Sequence, residues 1–406
     1  MPGSERSRAA VLGATAMVIA VAVIAVVAAG SGGGARVVPR TSGPPAASPD
    51  AAATAALDGT LATGLPLMTP PPALYVPHPD PEAIAQLDEL RRAGRSTDAG
   101  LLRAMLDTPS AVWFQGGSPA EVERDVRELL ARTGETVPVL VVYNVPGRDC
   151  AQFSAGGALD AEAYRAWIEA FADGIADSRA LVILEPDGLA LQPADCAQPD
   201  TFDRTALIAG AVDTIRAAAP NVGLYLDAGH SAWHPAPEMA RRLVRAGVRR
   251  ATGFFLNVSN YRPTAELVAY GTEISSCIAR ADPSGACGDD AVAAGAPNAG
   301  LSPFVIDTSR NGQGPWTPTA VYPDAQDWCN PPSRGLGARP TLDTAIPLVD
   351  AFLWIKIPGE SDGTCTRGGA AGSPDPEWAR VDPAAGRWFP EQALQLAQLA
   401  NPPLVP

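Results

Sequence analysis

The sequence is poor in basic residues and histidines and lacks the glycine-rich motifs that bind nucleotides. Its 406 residues include 30 Lys and Arg against 44 Asp and Glu, a formal net charge of -14, with only three His. This excess of negative charge argues against nucleic acid or an anionic membrane surface as a partner. No candidate strand is followed by a dinucleotide fingerprint or a phosphate loop, which argues against a nucleotide site.

The motifs for two further kinds of hydrolytic chemistry are also absent. His230 and His234 stand four residues apart, but no Glu lies between them and Pro235 disfavours a helix there. Neither Ser154 nor Ser231 lies in a Gly-x-Ser-x-Gly elbow. The sequence therefore predicts no metal site, no serine nucleophile and no cofactor.

The N-terminal segment predicts export. Two arginines precede an apolar run of 19 residues at 11–29, which approaches the ~20 residues that span a bilayer, so residues 1–30 are either a signal peptide or a membrane anchor. Residues 31–73 are rich in Ala, Gly and Pro and predict a flexible linker before a catalytic domain at 74–406. We expect a monomer that is secreted or anchored at the outer face of the cell membrane, where all six cysteines can pair.

Apolar, β-rich runs alternate with helical spacing through the rest of the chain. Helices are predicted at 81–92 and 97–106, before this alternation begins. Such alternation is typical of parallel strands with right-handed crossovers, and the missing nucleotide fingerprint favours a TIM-like α/β barrel over a doubly wound sheet. The seven predicted strands are Ala111–Phe114, Val139–Tyr143, Leu181–Glu185, Gly223–Asp227, Gly253–Asn257, Pro303–Asp307 and Ala351–Lys356.

Polar side chains follow these strands, most clearly at Glu185-Pro186-Asp187, where an apolar run ends in two carboxylates. Asp187 could simply cap a helix. However, polar groups at six consecutive strand ends would be costly to desolvate unless their common rim were a site. Carboxylates and aromatic rings dominate the chemistry, as glycosidic cleavage requires. Candidate acids are Asp149, Asp187 and Asp362, candidate sugar platforms are Trp113, Trp233 and Trp328, and Trp354 is expected in the core.

Several of these stretches resemble glycoside hydrolase family 6, the cellulases, from about Leu74 to Leu399. The two most specific stretches are Val141-Val-Tyr143-Asn-Val-Pro146-Gly-Arg148-Asp149-Cys150 with Ser154-Ala-Gly156-Gly157, and Val182-Ile-Leu-Glu185-Pro186-Asp187. Further stretches resemble the family's blocks in the family's order, among them Tyr225-Leu-Asp227-Ala-Gly-His230-Ser-Ala-Trp233, Asp327-Trp328-Cys329-Asn330 and Trp354-Ile-Lys356-Ile-Pro-Gly359-Glu360-Ser-Asp362-Gly363. The resemblance implies one catalytic domain, a distorted barrel with fewer than eight strands, and inverting hydrolysis of β-1,4-glucan.

The resemblance also implies residue roles. Asp187 would be the general acid, Asp149 would raise the pKa of Asp187 and help relay a proton from water, and Asp362 would be an alternative base. Tyr143 would crowd the distorted sugar at the cleavage point. The implied substrate-binding residues are Trp113, His230, Trp233, Asn257, Trp328, Lys356 and Glu360, and the implied structural residues are Arg148, Glu185 and Asp227.

The cysteines could pair in 15 ways. By the same resemblance, Cys150 pairs with Cys196 and Cys329 pairs with Cys365. The remaining Cys277 and Cys287 are expected to form a local bridge.

We expect an endoglucanase that cleaves internal bonds, with a cellobiohydrolase that releases cellobiose from chain ends as the alternative. A compact loop after Asp149 favours an open cleft and an endoglucanase, whereas the segment 363–389 is long enough to cover part of the site, as in a cellobiohydrolase. A carbohydrate-binding protein without activity is the alternative of another class, and the intact acids argue against it.

Overall fold

Strands and helices alternate along the computed structural model, which describes residues 71–196, 202–282, 285–287 and 300–405. The predicted export segment and nearly all of the predicted linker lie outside these residues. Within the described ranges, no helix is both long enough and apolar enough to cross a membrane.

Seven parallel strands form one sheet in which each strand pairs with the next along the chain, from β1 to β7. The predicted strands are all present, with bounds that differ by one to three residues. The sheet curls into a half-barrel, which confirms the predicted α/β class. The strands are β1 (Val112–Phe114), β2 (Val139–Val142), β3 (Ala180–Leu184), β4 (Val222–Asp227), β5 (Gly253–Leu256), β6 (Phe304–Asp307) and β7 (Val349–Leu353).

The first and last strands meet without a ladder. Between them, the described chain has one backbone hydrogen bond, from the Ala111 amide to the Trp354 carbonyl at 2.9 Å. The indole nitrogen of Trp113 also donates to the Ile355 carbonyl at 2.8 Å. We call this junction the seam.

Helices flank the sheet, and four of the eight described α-helices begin with a side-chain cap. Ser118 and Glu121 form a capping box, and Asp80, Asp160 and Asp203 accept backbone amides at the starts of three other helices. The α-helices of the described residues are Pro81–Arg92, Ser96–Leu106, Pro119–Thr133, Ala161–Ile175, Arg204–Ala218, Ala236–Arg245, Thr264–Arg280 and Pro390–Gln398.

Strands β2 to β6 have mostly apolar side chains on both faces because both faces are buried. Leu140, Val182 and Leu184 pack outward against helix residues such as Phe171. The inward-facing set fills the barrel interior and comprises Val141, Ile183, Tyr225, Phe255, Val305 and Leu353 among others. Because the interior is filled, the polar groups that follow the strands are left at the carboxyl rim.

All three predicted disulfides are present. Cys150–Cys196 joins the loop after β2 to the loop after β3, and Cys329–Cys365 joins the loop after β6 to the one after β7. Cys277–Cys287 closes a local loop at a helix end, and Cys277 itself is buried in the core.

Candidate active site

A cleft of about 1150 Å³ lies at the carboxyl ends of the strands. It brings together most of the side chains that the sequence predicted for the site. Glu185, Asp227 and Asn257 do not line it. The predicted residues that do are Trp113, Tyr143, Arg148, Asp149, Asp187, His230, Trp233, Trp328, Lys356, Glu360 and Asp362.

Asp187 lies in a tight turn just after β3, with positive φ angles at both Glu185 (53°) and Asp187 (65°). Burial raises the pKa of Asp187 well above its ordinary value, and the negative charges of Asp227, Asp149 and Asp362 raise it further. This carboxyl group therefore keeps its proton at pH values where an exposed Asp has lost it. The sequence attributed the shift mainly to Asp149, whereas burial and Asp227 contribute more.

Asp227 supports this turn from behind. Its Oδ2 accepts the amides of Leu189 at 3.1 Å and Ala190 at 2.8 Å, while Oδ1 accepts the Gly229 amide at 3.0 Å. The family resemblance implied only a structural role for Asp227, and the residue lies just before the loop that bears His230 and Trp233. The structure shows that one buried carboxylate ties that loop to the turn of Asp187.

Asp149 is held in a folded loop by its neighbours. Its Oδ2 accepts the Ser154 amide at 2.5 Å, and Arg148 donates to the carbonyls of Ser154 and Tyr143. The Arg148 guanidinium lies 4.5 Å from the centre of the Tyr143 ring. A Cβ on Gly157 would lie 2.0 Å from the Val145 carbonyl oxygen, so this glycine is required for the loop to close.

Ser154 also lines the cleft, a position that no catalytic motif in the sequence indicated. The signal was the Ser-Ala-Gly-Gly stretch, whose glycines allow the chain to fold back beside Asp149. Burial raises the pKa of Asp149, while the Ser154 amide and the charge of Arg148 oppose that rise.

Asp362 is surrounded by hydrogen-bond donors. Arg310, which is fully buried, donates through Nη1 to both carboxylate oxygens at 3.0 and 2.8 Å. The Asn330 amide donates to Oδ2 at 3.0 Å, and Lys356 Nζ lies 3.9 Å from Oδ1. Because its oxygens are engaged in this way, Asp362 is better placed to hold Arg310 and Lys356 in position than to take a proton from water.

Asn330 connects Asp362 to the segment behind the cleft. Its Oδ1 accepts the Asp362 amide at 2.7 Å, and its Nδ2 donates to Asp382 at 2.9 Å. Its carbonyl accepts the indole N–H of Trp378 at 2.7 Å. The segment 363–389 thus packs largely behind the site, and of its residues only Ala385, Gly386 and Trp388 line the cleft.

Two polar residues at strand ends face away from the cleft. Asn257 was predicted to bind substrate, but it is fully buried, and its Nδ2 donates to the Asp307 carbonyl at 2.9 Å while its Oδ1 accepts the Arg262 amide at 3.0 Å. Glu185 is also fully buried and accepts the amides of Asn144 and Val145 at 2.9 Å each, as expected for a structural residue. Asn257 therefore holds neighbouring loops together and does not line the cleft.

We expect Glu185→Gln to flatten the pH dependence of stability. Burial raises the pKa of Glu185 to about 7 in the folded protein, against about 4.5 for an ordinary Glu in the unfolded chain. Between these two pH values the unfolded chain ionises more readily, so the free energy of unfolding falls as pH rises. This difference corresponds to about 3 kcal/mol. Chemical denaturation between pH 4.5 and 8 should show the variant gaining on the wild type by up to that amount as pH rises. The exposed Glu162→Gln is the control, and a pH-independent difference for Glu185→Gln would contradict the prediction.

Aromatic rings are spaced along the cleft. Trp113 contacts Tyr143 edge-on with ring centres 5.4 Å apart, and Trp328 lies 6.0 Å from Phe153. Trp233 packs beside His230 at 5.4 Å. Such faces suit the C–H surfaces of sugar rings, and the acidic groups between them suit hydroxyl donors. Trp354 also borders the cleft, but it is buried in the core as the sequence predicted.

Comparison with known proteins gives a consistent result. Residues 72–400 match the family described as glycosyl hydrolases family 6. The chain is 38% identical to endoglucanase A of Thermobispora bispora over 73% of its own length and 56% of the relative's, and 37% identical to endoglucanase A of Cellulomonas fimi over 76% and 58%. It thus spans little more than half of these relatives.

A solved structure agrees with this match. The endoglucanase Cel6 of Mycobacterium tuberculosis, in complex with methyl-cellobiosyl-4-deoxy-4-thio-β-D-cellobioside, is 38% identical and superposes with a TM-score of 0.66. The alignment covers 83% of this chain and 99% of that structure.

Proposed function

The chain belongs to glycosyl hydrolases family 6, and from that premise we propose that it is an inverting endo-β-1,4-glucanase acting on internal bonds of cellulose or a related glucan. The observation that carries this proposal is the Asp187 carboxyl, whose pKa burial raises and which lines a cleft together with Asp149 and aromatic rings. A glycosidic oxygen needs such a proton donor when it leaves. A protein that only bound carbohydrate would have no use for it.

In the proposed reaction, water attacks the anomeric carbon as its bond to the glycosidic oxygen breaks. Asp187 gives its proton to the leaving oxygen, and the proton of the attacking water passes to a base on the opposite face. Asp149 receives it through further water, since the oxygens of Asp362 are engaged by Arg310 and Asn330. Tyr143 crowds the sugar at the cleavage point, and Trp113, Trp233, Trp328, His230, Lys356 and Glu360 bind the chain.

The position of the segment 363–389 supports cleavage of internal bonds. Trp378 packs against Phe389 with ring centres 4.8 Å apart and donates to the Asn330 carbonyl, so its ring lies behind the site. The loop after Asp149 is short and tied down by Arg148. Neither segment gives the cleft the roof that an enzyme threading chain ends would need.

We further propose that the catalytic domain extends over 74–406 and acts as a monomer outside the cell, either secreted or held by the N-terminal segment. Three disulfides support an oxidising compartment.

Viscosity measurements on a soluble cellulose derivative test the cleavage mode. An endoglucanase lowers viscosity early, while few reducing ends have formed. Reducing sugar that accumulates at nearly constant viscosity would instead indicate a cellobiohydrolase, and binding without any cleavage would overturn the assignment as an enzyme.

Proton NMR of the first product tests inversion, and retention of the anomeric configuration would contradict it.

The Asp149→Asn variant tests the electrostatic part of the mechanism. Asn tolerates the positive φ of 57° at this position and can still accept the Ser154 amide. Removing the negative charge should lower the pKa of Asp187, so the acid loses its proton sooner as pH rises. The alkaline limb of kcat/KM should therefore move to lower pH, in addition to a lower maximal rate. A limb that stayed in place would show that Asp149 does not influence the acid.

A further inference from the structure

Arg204 joins the loop after β2 to the loop after β3 without lining the cleft itself. Its side chain is nearly inaccessible, at 3% exposure. Through Nη2 it donates to the carbonyls of Pro146 at 3.1 Å and Gly147 at 3.0 Å, which belong to the first loop. Through Nη1 it donates to the Leu191 carbonyl at 2.7 Å, which belongs to the second. One guanidinium group therefore spans two loops that follow neighbouring strands.

The atoms that Arg204 contacts lie close to the two acids of the proposed mechanism. Gly147 precedes Asp149 by two positions in the loop after β2. In the loop after β3, the Leu191 amide donates to the Asp187 carbonyl at 2.8 Å. A movement of either loop would therefore change the distance between the two carboxyl groups.

The position of Arg204 in its own helix is unfavourable. It is the first residue of the helix Arg204–Ala218, just after the N-cap Asp203. The positive end of the helix dipole disfavours a cation in the first turn. Burial of a charged side chain is costly as well, unless hydrogen bonds satisfy it. Residues that break such local preferences are expected at functional sites, where a contact elsewhere compensates for the cost.

We propose that Arg204 is a positioning residue that sets the distance between Asp149 and Asp187. This inference rests on the proposed function. The acceptors of Arg204 on the two loops are neutral carbonyl oxygens, so these contacts fix geometry. In an inverting reaction the separation of the acid and the base must admit the attacking water. The rigidity of the two loops therefore bears directly on the chemical step.

The disulfide Cys150–Cys196 connects the same two loops at a different point. Each connection limits the movement that loss of the other would allow. The contributions of Arg204 and the disulfide to the acid–base distance should therefore depend on each other.

A comparison of Arg204→Met with Arg216→Met tests the proposal. Arg216 lies in the same helix and donates to the carbonyls of Val222 and Arg250 at 3.0 Å each, but at the amino ends of the strands. Both variants lose an arginine that holds backbone carbonyls, so both should unfold at lower urea concentration. Only Arg204→Met should also lower kcat on cellotetraose, by about 10- to 100-fold, as expected when reacting groups are displaced by about 1 Å. KM should change little, because the aromatic platforms lie on other loops.

The alkaline limb of kcat/KM distinguishes an effect of position from an effect of charge. If Arg204 sets the distance, its loss lets Asp149 move away, so the negative charge of Asp149 raises the pKa of Asp187 less. The limb should then move to lower pH. If Arg204 acted only through its own positive charge, its removal would move the limb to higher pH, which would overturn the proposal.

The Arg204→Lys variant carries the same prediction if Arg204→Met does not fold. It keeps the charge but lacks the planar fork that donates to both loops at once. We therefore expect Arg204→Lys to share the loss of kcat and the shift of the limb. Wild-type kinetics in this variant would show that charge alone is sufficient and would contradict the positioning role.

Removal of the disulfide provides the final test. In the Cys150→Ser/Cys196→Ser background, Arg204→Met should lower kcat by a larger factor than it does in the wild type. Equal factors in the two backgrounds, or wild-type kcat in Arg204→Met, would overturn the inference. If the wild-type protein cleaved no cello-oligosaccharide at all, the proposed function would have failed, which is a different result.

Discussion

Asp187→Asn should lower kcat/KM on unsubstituted cellulose oligosaccharides by about 10³-fold or more, within the range by which general acids contribute. Asn is close to Asp in size and tolerates the positive φ of this turn. The main change is therefore the loss of the transferable proton. Because the aromatic platforms and the other acids remain, oligosaccharide binding should survive.

The leaving group provides the critical comparison. An aryl cellobioside with an acidic phenol needs little protonation to leave, so the variant should lose much less activity on it than on cellotetraose. Asp125→Asn, an exposed acid paired with Arg124 on an outer helix, should match the wild type on both substrates. Wild-type activity of Asp187→Asn on cellotetraose would refute the assignment of the acid.

Arg310→Leu should lower the free energy of unfolding by about 3–5 kcal/mol, the usual cost of removing one partner from a buried ion pair. Both side chains of the pair with Asp362 are nearly inaccessible, at 0% and 6% exposure. Without Arg310, the partners left to the carboxylate among the described residues would be Asn330, Tyr261 and the more distant Lys356. The Arg310 guanidinium also lies 4.6 Å from the centre of the Tyr261 ring, a contact that the variant loses.

Urea unfolding of single and double variants measures this effect. Arg310→Leu/Asp362→Leu should be more stable than Arg310→Leu alone, because no unpaired charge is then left in the site. Arg124→Leu removes a cation from an exposed pair and should change stability by less than about 1 kcal/mol. If Arg310→Leu were as mild as Arg124→Leu, the buried pair would not stabilise the rim.

The fold could be predicted because its signals are local. Strands such as β3 are buried on both faces and appear as unbroken apolar runs. In the surrounding helices, apolar residues recur every three or four positions. The grouping of the acids at one rim could also be predicted, because the carboxyl ends of parallel strands lie at the same edge of a sheet. Asp149, Asp187 and Asp362 accordingly line one cleft.

What the sequence did not reveal depends on contacts between distant residues. Arg310 is 52 positions from Asp362, and Asn330 is 32 positions from it. No periodicity connects such partners. Asn257 illustrates a second limit, because a position just after a strand does not tell whether the side chain turns toward the cleft or toward a neighbouring loop.

The seam between β1 and β7 makes this protein suitable for redesign of its cleft width. In a closed barrel, separating two neighbouring strands would break a ladder, whereas here it would break the Ala111–Trp354 hydrogen bond and the contact of Trp113 with Ile355. Spacing across the seam is thus set mainly by side-chain packing. If the proposed function holds, substitutions on either side of the seam could adapt the cleft to bulkier, branched or chemically modified glucans while the sheet keeps its hydrogen bonds.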